Sequence, residues 1–222
     1  MQVNLKHLLQ NSAASLGISI NEGHLLSFAA YFDLVHFWNK KINLFASTSP
    51  EDFVIKHLLD SLAPAIFAPL HGSKIIDIGS GAGLPAIPLA IVTSPQSVTM
   101  VEATRKKASF LRQAVNELKL DNVEIINRYL DVEDVRINAA VKYDIMTSRA
   151  MIDLHGLLKI ARYHLRNGGV LVAMKGLNVA TELEVAQDLA PSYSMAFLTE
   201  HRYVLPWLNQ SRSLCLFRRG SE

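Results

Sequence analysis

The chain has 222 residues, half of them hydrophobic, and its 22 Lys and Arg against 20 Asp and Glu leave a formal charge of only +2. That length allows one large domain or one domain with a small appendage, and the apolar fraction suffices for a substantial core, so a soluble globule is expected. No apolar run approaches the roughly 20 residues that span a bilayer, MQVNLKHLLQ at the start lacks a secretory core segment, and the single cysteine, Cys215, excludes an internal disulfide and a cysteine-cluster metal site, which suits a reducing, cytoplasmic compartment.

Residues 1–70 read as helical. Leu5, Leu8, Leu9 and Leu16 recur at helical spacing, a second stretch from Asn21 carries Leu25, Phe28, Ala29, Phe32, Val35 and Phe37, and a third runs from Pro50 to Phe67. After His71-Gly72 the texture changes: Lys74 to Ile78 is a short buried strand, a glycine run follows, and a helix begins in Leu84 to Val92 with Pro85 and Pro88 in its first turn, where backbone donors lack partners anyway. Next come a strand in VTMVE, a helix from Arg105 to Leu118, strands in VEIIN and YDIMTS, and a helix from Leu154 to Leu165. An Asn167-Gly168-Gly169 stop and a strand in VLVAMK follow. Strands alternating with helices predict a doubly wound α/β fold with a mostly parallel sheet. The tail, SMAFLTEHRYVL and SLCLFRR, reads as two strands of a hairpin, an antiparallel ending. The expected organisation is a helical cap over 1–70 on an α/β core over 71–222, one compact unit.

In such a sheet ligands bind at the carboxyl ends of the strands near the point where strand order reverses, which is where the first strand-to-helix turn lies. Here that turn is DIGSGAGLPAIPLA, residues 77 to 90. Gly79, Gly81 and Gly83 let backbone approach a ligand closely. A phosphate-binding P-loop is excluded, because Gly83 is followed by Leu84-Pro85 rather than Lys-Ser/Thr. A dinucleotide turn fits only from Gly81 through Gly83 to Ala86, a register that starts late after the strand, and remains a rival. The pattern acidic-x-Gly-x-Gly-x-Gly from Asp77 to Gly83 matches S-adenosylmethionine without adjustment. Glu102 ends the second strand about 20 residues on, where a carboxylate can accept from both ribose hydroxyls. After the third strand, Tyr129-Leu130-Asp131 is placed to line the adenine, with Asp131 accepting from the exocyclic amine. Eight histidines are scattered with no His-x-x-x-His pair, so no metal is expected.

WNKKINL at 38 to 44, HLLDSL at 57 to 62, the glycine turn, KKASFL, TSRA at 147 to 150 and MKG at 174 to 176 together resemble the bacterial small-subunit ribosomal RNA guanine-N7 methyltransferases, also called the glucose-inhibited division protein B family, over nearly the full length. The resemblance implies a Rossmann-like class I S-adenosylmethionine-dependent methyltransferase core behind an N-terminal helical cap, with cofactor contacts at Gly79, Leu84, Leu130, Asp131 and Arg149. It implies 16S rRNA as partner, within a small subunit or an assembly intermediate, and a monomer is expected. Two positions depart from the family pattern: Ala86 stands where a glycine is usual, and Tyr129 replaces an arginine, with Arg128 one residue early.

The chemistry needs little from the protein, since the sulfonium brings an activated methyl and the site must mainly align a nucleophile. The pattern lacks the cysteine nucleophile of cytosine-C5 enzymes and the Asn/Asp-Pro-Pro-aromatic turn of exocyclic-amine enzymes. Guanine N7 loses no proton on methylation, so no general base is expected. Candidates for RNA contact are Lys40, Lys41, Asn43, Lys56 and His57 from the cap, then Arg105, Arg149 and Lys175 beside the cofactor pocket. Trp38 and Trp207 are expected in the core or at its edge. A methyltransferase of another RNA or a small molecule, a ribosome-assembly binding module without turnover, and a nicotinamide oxidoreductase are the alternatives.

Overall fold

The structure is a computed structural model that describes residues 1–46, 49–129, 141–149 and 152–221. Among these, helices α1 (Val3–Ser15), α2 (Glu22–Asn39) and α3 (Pro50–Phe53) lead into a π-helical turn over Val54–Leu59 and short helices α4 (Asp60–Leu62) and α5 (Pro64–Phe67). Their starts carry ordinary caps: the side chain of Asn21 accepts from His24 N at 2.8 Å, and that of Ser49, ahead of Pro50, accepts from Asp52 N at 3.0 Å.

Then β1 (Lys74–Ile78), α6 (Ala86–Thr93), β2 (Ser97–Glu102), α7 (Arg105–Glu117), β3 (Val123–Asn127), β4 (Tyr143–Arg149), α8 (Leu154–His164), β5 (Leu165–Gly176), α9 (Ala180–Leu189), β6 (Met195–Leu205) and β7 (Gln210–Arg219) build one seven-stranded sheet. The order is β3-β2-β1-β4-β5-β7-β6; β7 runs antiparallel to both β5 and β6, and the other pairs are parallel. The chain winds outward from β1 to β3 and then returns to lay β4 on the other side of β1, so the reversal of strand order falls between β1 and β4.

Strand residues alternate between two apolar layers, as a pleat requires. Ile75, Val98, Met100, Ile145, Val172, Leu214 and Leu216 face the side covered by α6, α7 and the first helices. Ile76, Val101, Met146, Leu171, Ala173, Cys215 and Phe217 face α8 and α9. The first of these layers runs unbroken from Leu5 through Phe53 and Leu62 into the sheet, so one apolar layer joins residues on both sides of residue 70. Among the described residues no helix is long and apolar enough to cross a membrane.

Two local expectations change. Helix α8 ends at His164, and Asn167-Gly168-Gly169 lies inside β5 rather than closing the helix; the register of β4 against β5 shifts at Tyr143, and a side chain at Gly169 would sit 3.0 Å from Tyr143 O, so the glycines serve a bulge. Trp207 is exposed at the tip of the β6–β7 hairpin, where its indole N–H donates to Ser12 Oγ on α1 at 3.1 Å, instead of joining the core. Trp38 is partly buried against Phe110 and donates to Gln113 Oε1 at 3.0 Å.

Candidate active site

Strand β1 ends in Asp77-Ile78, and the turn that follows is stitched to β2 by Gly79 N and Ser80 N, which both donate to Val101 O at 2.9 and 3.1 Å. Gly81 and Gly83 both have positive φ, yet they do different work. A Cβ on Gly83 would lie 2.4 Å from Ile87 Cδ1, so its bareness lets α6 pack. A Cβ on Gly81 would meet nothing nearer than Gly79 O at 3.8 Å, so its bareness keeps space open.

Glu102, at the end of β2, borders that space. It is almost fully buried, and it accepts from Gly81 N through Oε2 at 2.9 Å and from Thr104 N through Oε1 at 2.8 Å. A carboxylate has about four acceptor positions, so two remain after these bonds. The side-chain amide of Asn127 ties β3 to the same corner, donating to Glu102 O at 2.8 Å and Ala103 O at 3.0 Å.

Asp77 is wholly buried beneath the turn. Its Oδ1 accepts from the Thr147 hydroxyl at 2.8 Å across the β1–β4 pair, while Oδ2 has no hydrogen-bond partner among the described residues. Burial, with the nearby Glu102 charge adding to it, pushes the Asp77 carboxyl up to about 7 against the opposing effect of the neighbouring Ser80 and Thr147 hydroxyls, of which Ser80 donates to the main-chain Asp77 O at 3.2 Å. From the other side, α2 presses on the turn: the buried Tyr31 hydroxyl donates to Ala82 O at 2.5 Å.

Arg149 ends β4 and reaches into the π-helical turn. Its Nη2 donates to Lys56 O at 2.6 Å and pairs with Asp60 Oδ2 at 3.2 Å, and both terminal nitrogens lie 3.3 Å from His57 Nδ1. The wider π-helical winding brings positions 56, 57 and 60 around one guanidinium, a local distortion of the kind that recurs at functional sites. Asp60 is buried; it also accepts from the Tyr203 hydroxyl at 2.7 Å and lies 3.7 Å from Arg212 Nε. Burial, and then the charges of Arg149, Lys56 and Arg212, push the His57 imidazole down to about 4.

The turn from Asp77 to Leu84, Glu102 and Arg149 therefore sit at the carboxyl ends of adjacent strands β1, β2 and β4, as their positions in the sequence suggest. Leu84 is buried at the end of the turn. Leu130 and Asp131 lie outside the described residues; Tyr129, just before them, is exposed. The basic candidates are divided. Lys175 is drawn inward, donating to Ile152 O and Glu182 Oε1 at 2.7 Å each, and Lys56 pairs with Asp52 at 2.6 Å. Lys40, Lys41, Asn43 and Arg105 are exposed, with Lys41 Nζ 4.0 Å from the centre of the Phe37 ring. Sequence reasoning does not single out Asp60, Tyr31, Thr147 or Tyr203. Asp60 stands inside the distinctive HLLDSL stretch, which is the one signal that points to it.

The open space beside Gly81, the spare acceptor capacity of Glu102 and the unpartnered Asp77 Oδ2 suit a ligand that is rich in hydroxyl and ammonium donors and lacks a pyrophosphate, as S-adenosylmethionine does.

Residues 24–205 match the family model described as rRNA small subunit methyltransferase G. A relative from Syntrophus aciditrophicus bearing the name Ribosomal RNA small subunit methyltransferase G is 38% identical over 217 residues, covering 96% of this chain and 89% of its own. One of the same name from Nitrosospira multiformis is 37% identical over 221 residues, covering 96% and 97%. Among solved structures, an O-methyltransferase from Bacillus cereus in complex with SAH superposes with a TM-score of 0.63 at 16% identity, over 94% of this chain and 96% of the other. Aeropyrum pernix fibrillarin with natively bound S-adenosyl-L-methionine gives 0.57 at 13% identity, over 72% and 73%. Both structural likenesses concern the fold.

Proposed function

Since the chain belongs to the rRNA small subunit methyltransferase G family, it is an S-adenosylmethionine-dependent methyltransferase of small-subunit rRNA, and we propose that the methyl goes to N7 of one guanine in 16S rRNA. S-adenosylmethionine supplies the electrophilic methyl. The observation that carries the reading is the meeting of the open glycine turn, the buried Glu102 and Arg149 at the ends of β1, β2 and β4 in a chain matched by that family over residues 24–205.

In this reading Glu102 accepts from the ribose hydroxyls with the capacity its two backbone bonds leave free. The turn at Asp77, Gly79, Gly81, Gly83 and Leu84 lines the methionine and ribose portions, and Leu130 and Asp131 line the adenine. Arg149 holds the cofactor carboxylate. Guanine N7 attacks with an in-plane lone pair and sheds no proton, so the residues around it need only to orient the base and keep water out. Lys40, Lys41, Asn43 and Arg105 meet rRNA phosphates, and Lys56, His57 and Lys175 shape the crevice wall beside them. The enzyme works in the cytoplasm as a monomer, with cap and core as one unit.

The test is to incubate the protein with methyl-labelled S-adenosylmethionine and small ribosomal subunits that lack the mark, then to map the label. Label at N7 of a single guanine supports the proposal. Label on an exocyclic amine or a ribose overturns the N7 target, and efficient methylation of free guanosine would favour a small-molecule substrate over 16S rRNA.

A further inference from the structure

His57 has one ring nitrogen whose role the surrounding chemistry decides. Both terminal nitrogens of Arg149 lie 3.3 Å from His57 Nδ1. A guanidinium has only donors and keeps its charge, so Nδ1 accepts, and the neutral ring carries its proton on Nε2. That Nε2–H has no hydrogen-bond partner among the described residues, and the ring is only partly buried. Phe45 and Phe53 hold the ring, each with its centre 5.3 Å away. A fixed, neutral, single N–H donor therefore stands at the seam of the cap and the carboxyl end of β4, within bonding distance of Arg149.

The edge of a purine that carries N7 differs between the two bases: guanine presents O6, an acceptor, beside N7, whereas adenine presents an amine donor there. A cationic fork would bond N7 and O6 together, occupying the lone pair that must attack, and would oppose the positive charge the base gains on methylation. A single neutral donor does neither. We propose that His57, set by Arg149 as its Nε2–H tautomer, donates a hydrogen bond to O6 of the target guanine and thereby selects guanine over adenine at the reacting position. This rests on the N7 reading above and goes further by naming the residue that reads the base. The low proton affinity of the ring, pushed down to about 4, keeps it neutral at physiological pH.

The test measures methyl transfer to small subunits for the wild-type protein, His57→Leu and His57→Gln, on rRNA carrying either guanine or 2,6-diaminopurine at the mapped nucleotide. The analogue keeps N7 and the 2-amino group and replaces O6 with an amine. On guanine, His57→Leu is expected to lower kcat/KM on the order of tenfold to a hundredfold, and His57→Gln, whose amide supplies an N–H, to recover part of it. The wild type is expected to lose a similar factor on 2,6-diaminopurine, and that factor is expected to shrink to about twofold or less in His57→Leu, the non-additivity of two groups in contact. Equal transfer by the wild type to both bases overturns the proposal whatever the variants do. So does an undiminished analogue penalty in His57→Leu, or a fall in S-adenosylmethionine affinity that accounts for the lost rate. If the wild type labels no guanine N7 at all, the N7 reading itself fails, a result distinct from normal labelling that is indifferent to His57.

Discussion

Asp60 and Arg149 meet at 3.2 Å across the seam between the first helices and the sheet, and the acid is shared with the Tyr203 hydroxyl at 2.7 Å. Asp60 thus sets where Arg149 stands relative to the glycine turn. Replacing one member of a buried pair strands the other, so Asp60→Asn is expected to lower the unfolding free energy by about 3 kcal/mol, with Asp60→Ala lower still because the bond to Tyr203 goes too. Denaturant unfolding of the purified variants measures this; a shift within about 0.5 kcal/mol is what a surface substitution gives and would remove Asp60 from its supporting role.

Arg149→Ala is expected to weaken S-adenosylmethionine binding while leaving the salt dependence of RNA binding nearly unchanged. If Arg149 instead holds an rRNA phosphate, the slope against salt falls by about one unit and cofactor affinity is kept. Arg149→Lys is expected to recover only part of the loss, because one ammonium cannot span Lys56 O, His57 Nδ1 and Asp60 together.

Glu102→Ala is expected to weaken S-adenosylmethionine binding about tenfold or more, since it removes the acceptor that holds Gly81 N and, in the proposed reading, charged hydrogen bonds to the ribose. Calorimetry on the folded variant checks it, and unchanged affinity would place the ribose elsewhere.

The two inner glycines are expected to fail differently. Gly81→Ala places its methyl in open space at φ +56°, so stability drops by only about 1 to 2 kcal/mol while cofactor affinity collapses. Gly83→Ala drives its methyl into Ile87, and stability drops by about 2 to 4 kcal/mol. Parallel unfolding and binding curves separate the two, and equal behaviour would contradict the assignment of the open space to a ligand.

Asp77 gives a pH signature. Its carboxyl is raised from 3.8 to about 7 in the folded chain, so between those values the folded state holds a proton that the unfolded state releases. Its contribution to stability is complete below 3.8, falls as pH rises and is lost above about 7. Asp77→Asn lacks that slope. Unfolding curves at about pH 5 and about pH 8 are expected to show the wild type losing stability relative to the variant. A constant difference between the two would mean that Asp77 is ionised throughout.

Much of this was legible in the residues because periodicity and glycine spacing are local. The strands from Lys74 onward declare themselves by buried runs between turns, and Asp77, the glycines and Glu102 follow from their places at the ends of β1 and β2. What stayed hidden is non-local. Nothing in the spacing of residue 60 against residues 149, 203 and 212 says that they converge, and Lys175 reads as a free cation until α9 brings Glu182 to it. The Asn167-Gly168-Gly169 run shows the same limit: its glycines suit a helix end as well as a bulge, and only the pairing of β4 with β5 decides.

The bond from Trp207 at the hairpin tip to Ser12 on α1 joins an early helix to a turn between the two final strands. Chains emerge from the ribosome with their N-terminal end first. During synthesis α1 and α2 are therefore made long before the strands that fasten them, and Asp60 waits with its charge uncompensated until Arg149, Tyr203 and Arg212 arrive. A nascent chain halted before Tyr203 therefore lacks the Tyr203 and Arg212 contacts to Asp60 and the Trp207 bond to α1, although most of the apolar layer beneath those helices is already made.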